Sequence, residues 1–276
     1  MLKHQAQAVN IIQNFAAEDE QSLQAKIEQL AGRLFPRQRK KREQLAAQLL
    51  EMYTQACDKD FLVIHSPGGW GNAHWQDVSD WEKSIVTGVT ATLEKLGYSF
   101  IMEQYFRSGD VLWGPKSVFR EAQFFLWGAS YRAEVLVEEL KFIVHNLPKV
   151  KVVLVGASQG AAFNNTAMMN IDNPERIYSI ELGTFFPHMP RRKITERTLA
   201  IDSNGLMNDP MCHRDLRVAT KAYLGAFYRW FKYRAIGKPM KFTHCINTPG
   251  HEYRWEYPAI CGRITEFLTT KFGEKR

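Results

Sequence analysis

The chain lacks any long apolar stretch. Nothing in its 276 residues approaches the roughly 20 consecutive apolar residues needed to span a bilayer, and its start, Met1-Leu2-Lys3-His4-Gln5, is polar. The expectation is a cytoplasmic chain with neither signal peptide nor transmembrane segment. Cysteine is scarce as well. Cys57, Cys212, Cys245 and Cys261 show no C-x-x-C spacing, which argues against a zinc knuckle and a dense disulfide framework; no metal and no cofactor is expected. Acidic residues are the minority charge: 36 Lys and Arg against 29 Asp and Glu leave a formal +7. That excess favours peripheral contact with anionic surfaces. Specific nucleic-acid binding is not expected, because the basic run Arg37-Gln38-Arg39-Lys40-Lys41-Arg42 has no aromatic residues to stack on bases. It reads as a solvated helix start. Internal repeats and low-complexity tracts are missing too, and nothing in the sequence speaks to oligomeric state.

What is present is enough apolar residue, 45%, to bury one large core. Residues 1–57 read as a helical N-terminal extension, with Leu23, Ile27, Leu30 and Leu34 at helical spacing and Pro36 as an interruption. From residue 58 to 276 the pattern changes to short apolar runs alternating with helical stretches, the signature of a mainly parallel sheet covered by helices on both faces. Strands are expected at Phe61 to Ile64, Ser99 to Phe106, Val150 to Val155, Ile177 to Leu182, Thr198 to Ile201 and Phe242 to Ile246. Helices are expected at Asp80 to Leu96 and over a long region from Ser117 to Asn146.

The chemistry begins at Gly156-Ala157-Ser158-Gln159-Gly160. A strand runs straight into it and a helix-forming run, Ala161 to Met169, follows. A serine on such a sharp strand-to-helix turn is held exposed above the sheet, and the glycines remove side chains that would collide where strand and helix meet. The helix N-terminus beneath it favours the oxyanion of acyl transfer. Ser158 is therefore the candidate nucleophile and the Gln159 N–H the first oxyanion donor. The second donor is expected from the loop after the first strand, Pro67-Gly68-Gly69-Trp70-Gly71, at Gly68 or Gly69, with Trp70 walling the substrate pocket. A phosphate-binding loop is the alternative, but no Gly-Lys-Ser/Thr follows.

In this arrangement the acid and then the base follow the serine along the chain. Of the later histidines, His188, His213, His244 and His251, the last lies in a loop after a strand and is the candidate base. The acid is sought among Glu181, Asp202, Asp209 and Asp215. Asp202 follows its strand at once; Asp209 lies deeper in a loop, with more freedom to turn toward His251.

Three segments resemble the cutinase-like branch of the α/β-hydrolases, and within it the phage lysin B esterases. Gly156-Ala157-Ser158-Gln159-Gly160-Ala161 is similar to that branch's Gly-Tyr-Ser-Gln-Gly-Ala elbow, with Ala157 in place of the aromatic residue. Asn208-Asp209-Pro210-Met211 looks like its Gly-Asp acid loop, and this lifts Asp209 over Asp202. His251-Glu252-Tyr253, continuing to Tyr257-Pro258-Ala259, resembles the His-x-Tyr and Tyr-Pro-Ala run around the lysin B histidine. The resemblance implies an α/β-hydrolase fold and a serine esterase with a Ser158, Asp209, His251 triad; residues 1–57 have no counterpart in it.

Between Asp209 and His251 lies a segment, 214–236, dense in rings and cations, including Tyr223, Phe227, Tyr228, Arg229, Trp230, Phe231 and Lys232. It reads as a lid or lipid-surface contact, or else as a helix packed on the core. Phe124-Phe125-Leu126-Trp127 is a second apolar cluster, read as core packing ahead of an acyl pocket. The expected substrate is a lipid-like or long-chain acyl ester; a small soluble ester, or a non-catalytic scaffold binding a partner, are the alternatives.

Overall fold

The computed structural model describes residues 21–107, 123–124, 128, 130–172, 175–238 and 245–275. Contacts divide the chain into two compact units, Met1–Cys57 and Asp58–Arg276. In the first, helix α1 (residues 21–34) and helix α2 (Arg39–Ala56) are separated by a turn at Pro36, whose ring cannot continue a helix. Helix α2 buries Leu45, Leu49, Met52 and Ala56, a stripe at helical spacing. Arg39 in the basic run pairs with Glu43 one turn on, and both side chains are largely in solvent.

The second unit is built on five parallel strands: β1 (Phe61–Ser66), β2 (Phe100–Gln104), β3 (Lys151–Ala157), β4 (Ile177–Leu182) and β5 (Thr198–Ile201), in the order β2-β1-β3-β4-β5. Helices α3 (Asp80–Lys95), α4 (Tyr131–Asn146), α5 (Gln159–Met169), α6 (Leu216–Ala235) and α7 (Pro258–Phe272) accompany it. Side chains alternate across a strand. Phe61, Val63, Val153, Val155, Ile180, Leu182 and Ile201 form one core with Ile85, Val86, Val89 and Leu93 of α3 and Ile260, Ile264 and Leu268 of α7. The intervening residues Leu62, Ile64, Val152 and Leu154 are buried too, on the face left to α4 and α5, which pack on each other. Burial on both faces explains why these strands read as unbroken apolar runs. A parallel sheet covered on both faces, whose third strand runs through a strained serine into a helix, is consistent with the expected α/β-hydrolase fold.

Two expected elements differ. The helical region expected from Ser117 to Asn146 is broken: 123–124 are helical, Gly128 has φ +68°, and the hydroxyl of Ser130 caps a new helix starting at Tyr131. Residues 117–122 lie outside the described residues. The strand expected at Phe242 to Ile246 is not a member of the described sheet; 242–244 lie outside the described residues, and Cys245 and Ile246 are in no strand. Among the described residues no helix is long and apolar enough to cross a membrane.

Candidate active site

Ser158 sits at the junction of β3 and α5 with φ +55° and ψ −115°. Among the described residues, only Arg214 shares a positive φ without being glycine. The strain is held by neighbours: Ser158 N–H donates to the Leu182 carbonyl at the end of β4 (2.8 Å), and its own carbonyl accepts from Ala162 N–H (3.2 Å). Gly160 must be glycine, because a Cβ there would lie 2.1 Å from the Ser66 carbonyl oxygen. The close approach of α5 to β1 is sealed by Ser66 Oγ donating to Asn164 Oδ1 at 2.6 Å. As the first residue of α5, Gln159 has an N–H that intrahelical bonding leaves unused.

On the far side, His251 Nδ1 and Asp209 Oδ2 are 2.7 Å apart. The carboxylate is fully buried, with a dense set of donors: Tyr253 OH (2.5 Å) and Cys212 Sγ (3.2 Å) on the same oxygen, and Met211 N–H (2.8 Å) on Oδ1. Burial works to raise its pKa, but the His251 bond and charge, Tyr253 and Cys212 outweigh it and hold the carboxyl below the usual range. Facing an ionised carboxylate, Nδ1 must carry the proton, so Nε2 presents a lone pair. The imidazole is steadied edge-on by Trp81 of α3 (6.2 Å between ring centroids) and Tyr253 (6.1 Å). Burial beside Asp209 pushes the Cys212 thiol far up, which makes it a donor to the acid and a poor nucleophile.

Gly183 joins the two halves. It directly follows Leu182, the partner of Ser158, and has φ +59°. A Cβ there would be 2.6 Å from Tyr253 Cε2 and 2.9 Å from Asp209 Oδ2. The loops that carry Asp209 and His251 are tied by Asn204, whose Nδ2 donates to the Glu252 carbonyl (3.1 Å) while Oδ1 accepts from Leu206 and Met207 N–H.

The other candidate acids are engaged elsewhere. Asp202 accepts from Arg192 Nη1 at 2.8 and 2.9 Å, with Cys212 Sγ a longer donor at 4.0 Å. Glu181 is buried against Asn165 and Ser179, its pKa pushed up to about 7 by burial. Asp215 caps α6, accepting from Arg217 and Val218 N–H. Of the other histidines, His188 is buried against Phe124 and pushed down to about 4 by burial; His244 lies outside the described residues.

The glycine loop departs from expectation at one atom. Gly68 N–H is already spent: it donates to Glu82 Oε2 (3.2 Å), which also contacts His65 Nε2 (3.2 Å). Gly69 N–H has no hydrogen bond among the described residues, so of the two glycines it is the one open to an oxyanion. Sequence reasoning missed the residue that holds this loop. Buried Arg107, just after β2, donates through Nη2 both to the Gly69 carbonyl and to Gln159 Oε1 (3.0 Å), and its own N–H reaches the Gly71 carbonyl (2.8 Å). One guanidinium thus spans the loop and the residue after Ser158. Trp70 is 41% exposed at the loop tip. Phe124 is buried between Phe163, His188 and the Arg107 guanidinium, a core position; 125–127 lie outside the described residues.

Chemically, the arrangement offers a serine on a strained turn, an imidazole with its lone pair set by a buried carboxylate, and two backbone N–H groups at a helix start and a glycine loop. No family model matches the chain, and no curated protein matches it. Among solved structures the chain is similar to a Trichoderma reesei cutinase in complex with a C11Y4 phosphonate inhibitor, at 16% identity and a TM-score of 0.44, covering 93% of this chain and 98% of that one. It is also similar to a cutinase-like protein from Cryptococcus sp., at 12% identity and a TM-score of 0.46, covering 79% of this chain and 97% of that one.

Proposed function

We propose that this protein is a serine hydrolase that cleaves carboxylic esters through an acyl-enzyme. His251 Nε2 takes the proton of Ser158 Oγ, which attacks the ester carbonyl; the N–H groups of Gln159 and Gly69 stabilise the tetrahedral oxyanion. His251 then protonates the departing alcohol, and water repeats the sequence on the acyl-serine. Asp209 keeps the imidazole in the tautomer this requires. The observation that carries the reading is the 2.7 Å contact between His251 Nδ1 and a buried Asp209 whose pKa is held down. Lipid-like or long-chain acyl esters are the preferred substrates within this proposal, supported by the exposed apolar residues of α6, which starts seven residues after Asp209.

The test is hydrolysis of p-nitrophenyl esters from acetate to palmitate by wild type and Ser158→Ala, with fluorophosphonate labelling alongside. Activity rising with chain length, lost in Ser158→Ala, is the expected result. A profile peaking at acetate points to a small-ester esterase. Neither turnover nor labelling of Ser158 would leave a non-catalytic scaffold and end the enzyme reading.

A further inference from the structure

Helix α6 has a composition that folding alone does not call for. Its twenty residues, Leu216–Ala235, contain Arg217, Lys221, Arg229, Lys232 and Arg234 and no Asp or Glu. The buried side is narrow and small: Ala219, Ala222 and Ala226. The large apolar residues face the other way. Leu216, Tyr223, Leu224, Phe227, Tyr228 and Phe231 are between 40% and 69% exposed. At 100° per residue they share an arc of about 140° that starts beside Ala219 at Tyr223 and reaches the side opposite the alanines at Leu224, Tyr228 and Phe231, inverting the usual pattern of a helix that packs its large residues inward. Lys221 and Lys232 border this stripe along one edge, Arg217 and Arg234 lie within it, and all four are exposed. An exposed face of large apolar residues interspersed with cations on a folded protein marks a contact surface.

We infer that this face of α6 is the surface by which the protein docks onto an anionic lipid layer, with the rings and Leu224 entering the interface and the flanking cations meeting lipid phosphates. Charge complementarity selects this occupant. A second copy of the chain would bring the four exposed cations Arg217, Lys221, Lys232 and Arg234 against another four, with no acid on either helix to pair them. A neutral surface would leave the cations without partners. Arg229 is reserved for the fold, since its Nε donates to the Cys245 carbonyl at 2.7 Å.

The placement links docking to the proposed ester chemistry, on which this consequence rests. Asp215, the N-cap of α6, donates its N–H to the Pro210 carbonyl (3.0 Å), and Ala219 packs with Met211 and Phe185. The first turn of the docking helix is therefore fastened to the loop that carries Asp209. A protein lying on this face has its acid loop at the level of the lipid headgroups, where an acyl ester is presented.

The experiment reads binding without turnover. Full-length protein carrying Ser158→Ala is sedimented with vesicles of phosphatidylcholine alone or mixed with phosphatidylglycerol, in 50 mM and 300 mM salt. Binding only to the anionic vesicles, weakened by salt, is expected. Leu224→Ser with Phe231→Ser, both exposed and harmless to folding, should lower the vesicle partition constant at least tenfold. Lys221→Gln with Lys232→Gln should lower it roughly thirtyfold at low salt. In the catalytically intact chain the same pairs should leave hydrolysis of soluble p-nitrophenyl butyrate unchanged. That keeps the test apart from the ester reading, whose own failure appears as absent turnover in wild type. The inference is overturned by equal partition into neutral and anionic vesicles, by no binding, or by partition that neither pair alters. A dimer in gel filtration that Leu224→Ser dissolves would assign the face to self-association and overturn it too.

Discussion

Replacing Asp209 by Asn tests the site at its most determined atom. The carboxylate is fully buried and accepts four hydrogen bonds: Met211 N–H on Oδ1, and His251, Tyr253 and Cys212 on Oδ2. An amide has one acceptor oxygen and one donor NH2, so it cannot satisfy both sides. If its oxygen replaces Oδ2, the NH2 is forced against the Met211 N–H, and two buried donors lose partners at about 1–3 kcal/mol each. If it turns over, the oxygen takes Met211 N–H, the Tyr253 hydroxyl rotates to accept, and the NH2 donates to His251 Nδ1. The second arrangement wins, and it inverts the imidazole tautomer: the proton moves to Nε2, which can then no longer accept from Ser158. Loss of the correct tautomer reduces kcat by about 10⁴, or about 5 kcal/mol in the barrier. Asp202→Asn is the control, since that carboxylate bonds Arg192 and not His251, and its kcat should change less than about threefold. The assay is kcat and KM for p-nitrophenyl butyrate between pH 6 and 9, with urea unfolding to establish that both variants are folded. A folded Asp209→Asn retaining a tenth of wild-type kcat, or an equal loss in Asp202→Asn, would refute the reasoning.

Three other outcomes are expected. Tyr253→Phe removes one donor from the ionised carboxylate, a bond of about 1.5–3 kcal/mol, and should raise the Asp209 pKa. Because a depressed acid pKa contributes stability above its unfolded value and loses it as pH falls through the folded one, the variant's deficit in urea unfolding should be full at pH 7 and shrink toward acid; a deficit independent of pH would contradict this. Arg107→Met leaves the Gly69 carbonyl and Gln159 without the donor that spans them, so kcat for a soluble ester should drop at least tenfold with little change in KM, with partial recovery in Arg107→Lys; an unchanged kcat would free Arg107 of any positioning role. Glu139, buried in α4, has its pKa pushed up to about 7 by burial. The folded state thus favours the neutral acid, so stability is highest below pH 4.5 as far as this group is concerned and falls by about 3 kcal/mol as pH rises through 7; Glu139→Gln should flatten that slope in thermal melts, and an unaltered slope would assign it to another group.

Much of the fold was legible because its signals are local. Strands β1, β3 and β4 read as apolar runs because both faces are covered, and the nucleophile turn read as glycines around a serine because strand and helix there are adjacent in the chain. Asp209 and His251, chosen for their loop positions and for resemblance, are 42 residues apart in sequence and in hydrogen-bond contact in the structure. The helical region expected from Ser117 to Asn146 is interrupted because periodicity persists across Gly128, where a left-handed backbone and the Ser130 cap impose a new start.

Local sequence sufficed for the alternation of elements and for the turn that strains Ser158, both set by backbone sterics and by apolar period over a few neighbouring residues. How each polar group is used emerged only in three dimensions. The Gly68 N–H was taken by Glu82, 14 residues away; Arg107 was brought onto Gly69 and Gln159 across 38 and 52 residues; Asp202 was claimed by Arg192. A hydrogen bond depends on distance and direction in space, and sequence carries neither until the sheet has placed its strand ends side by side.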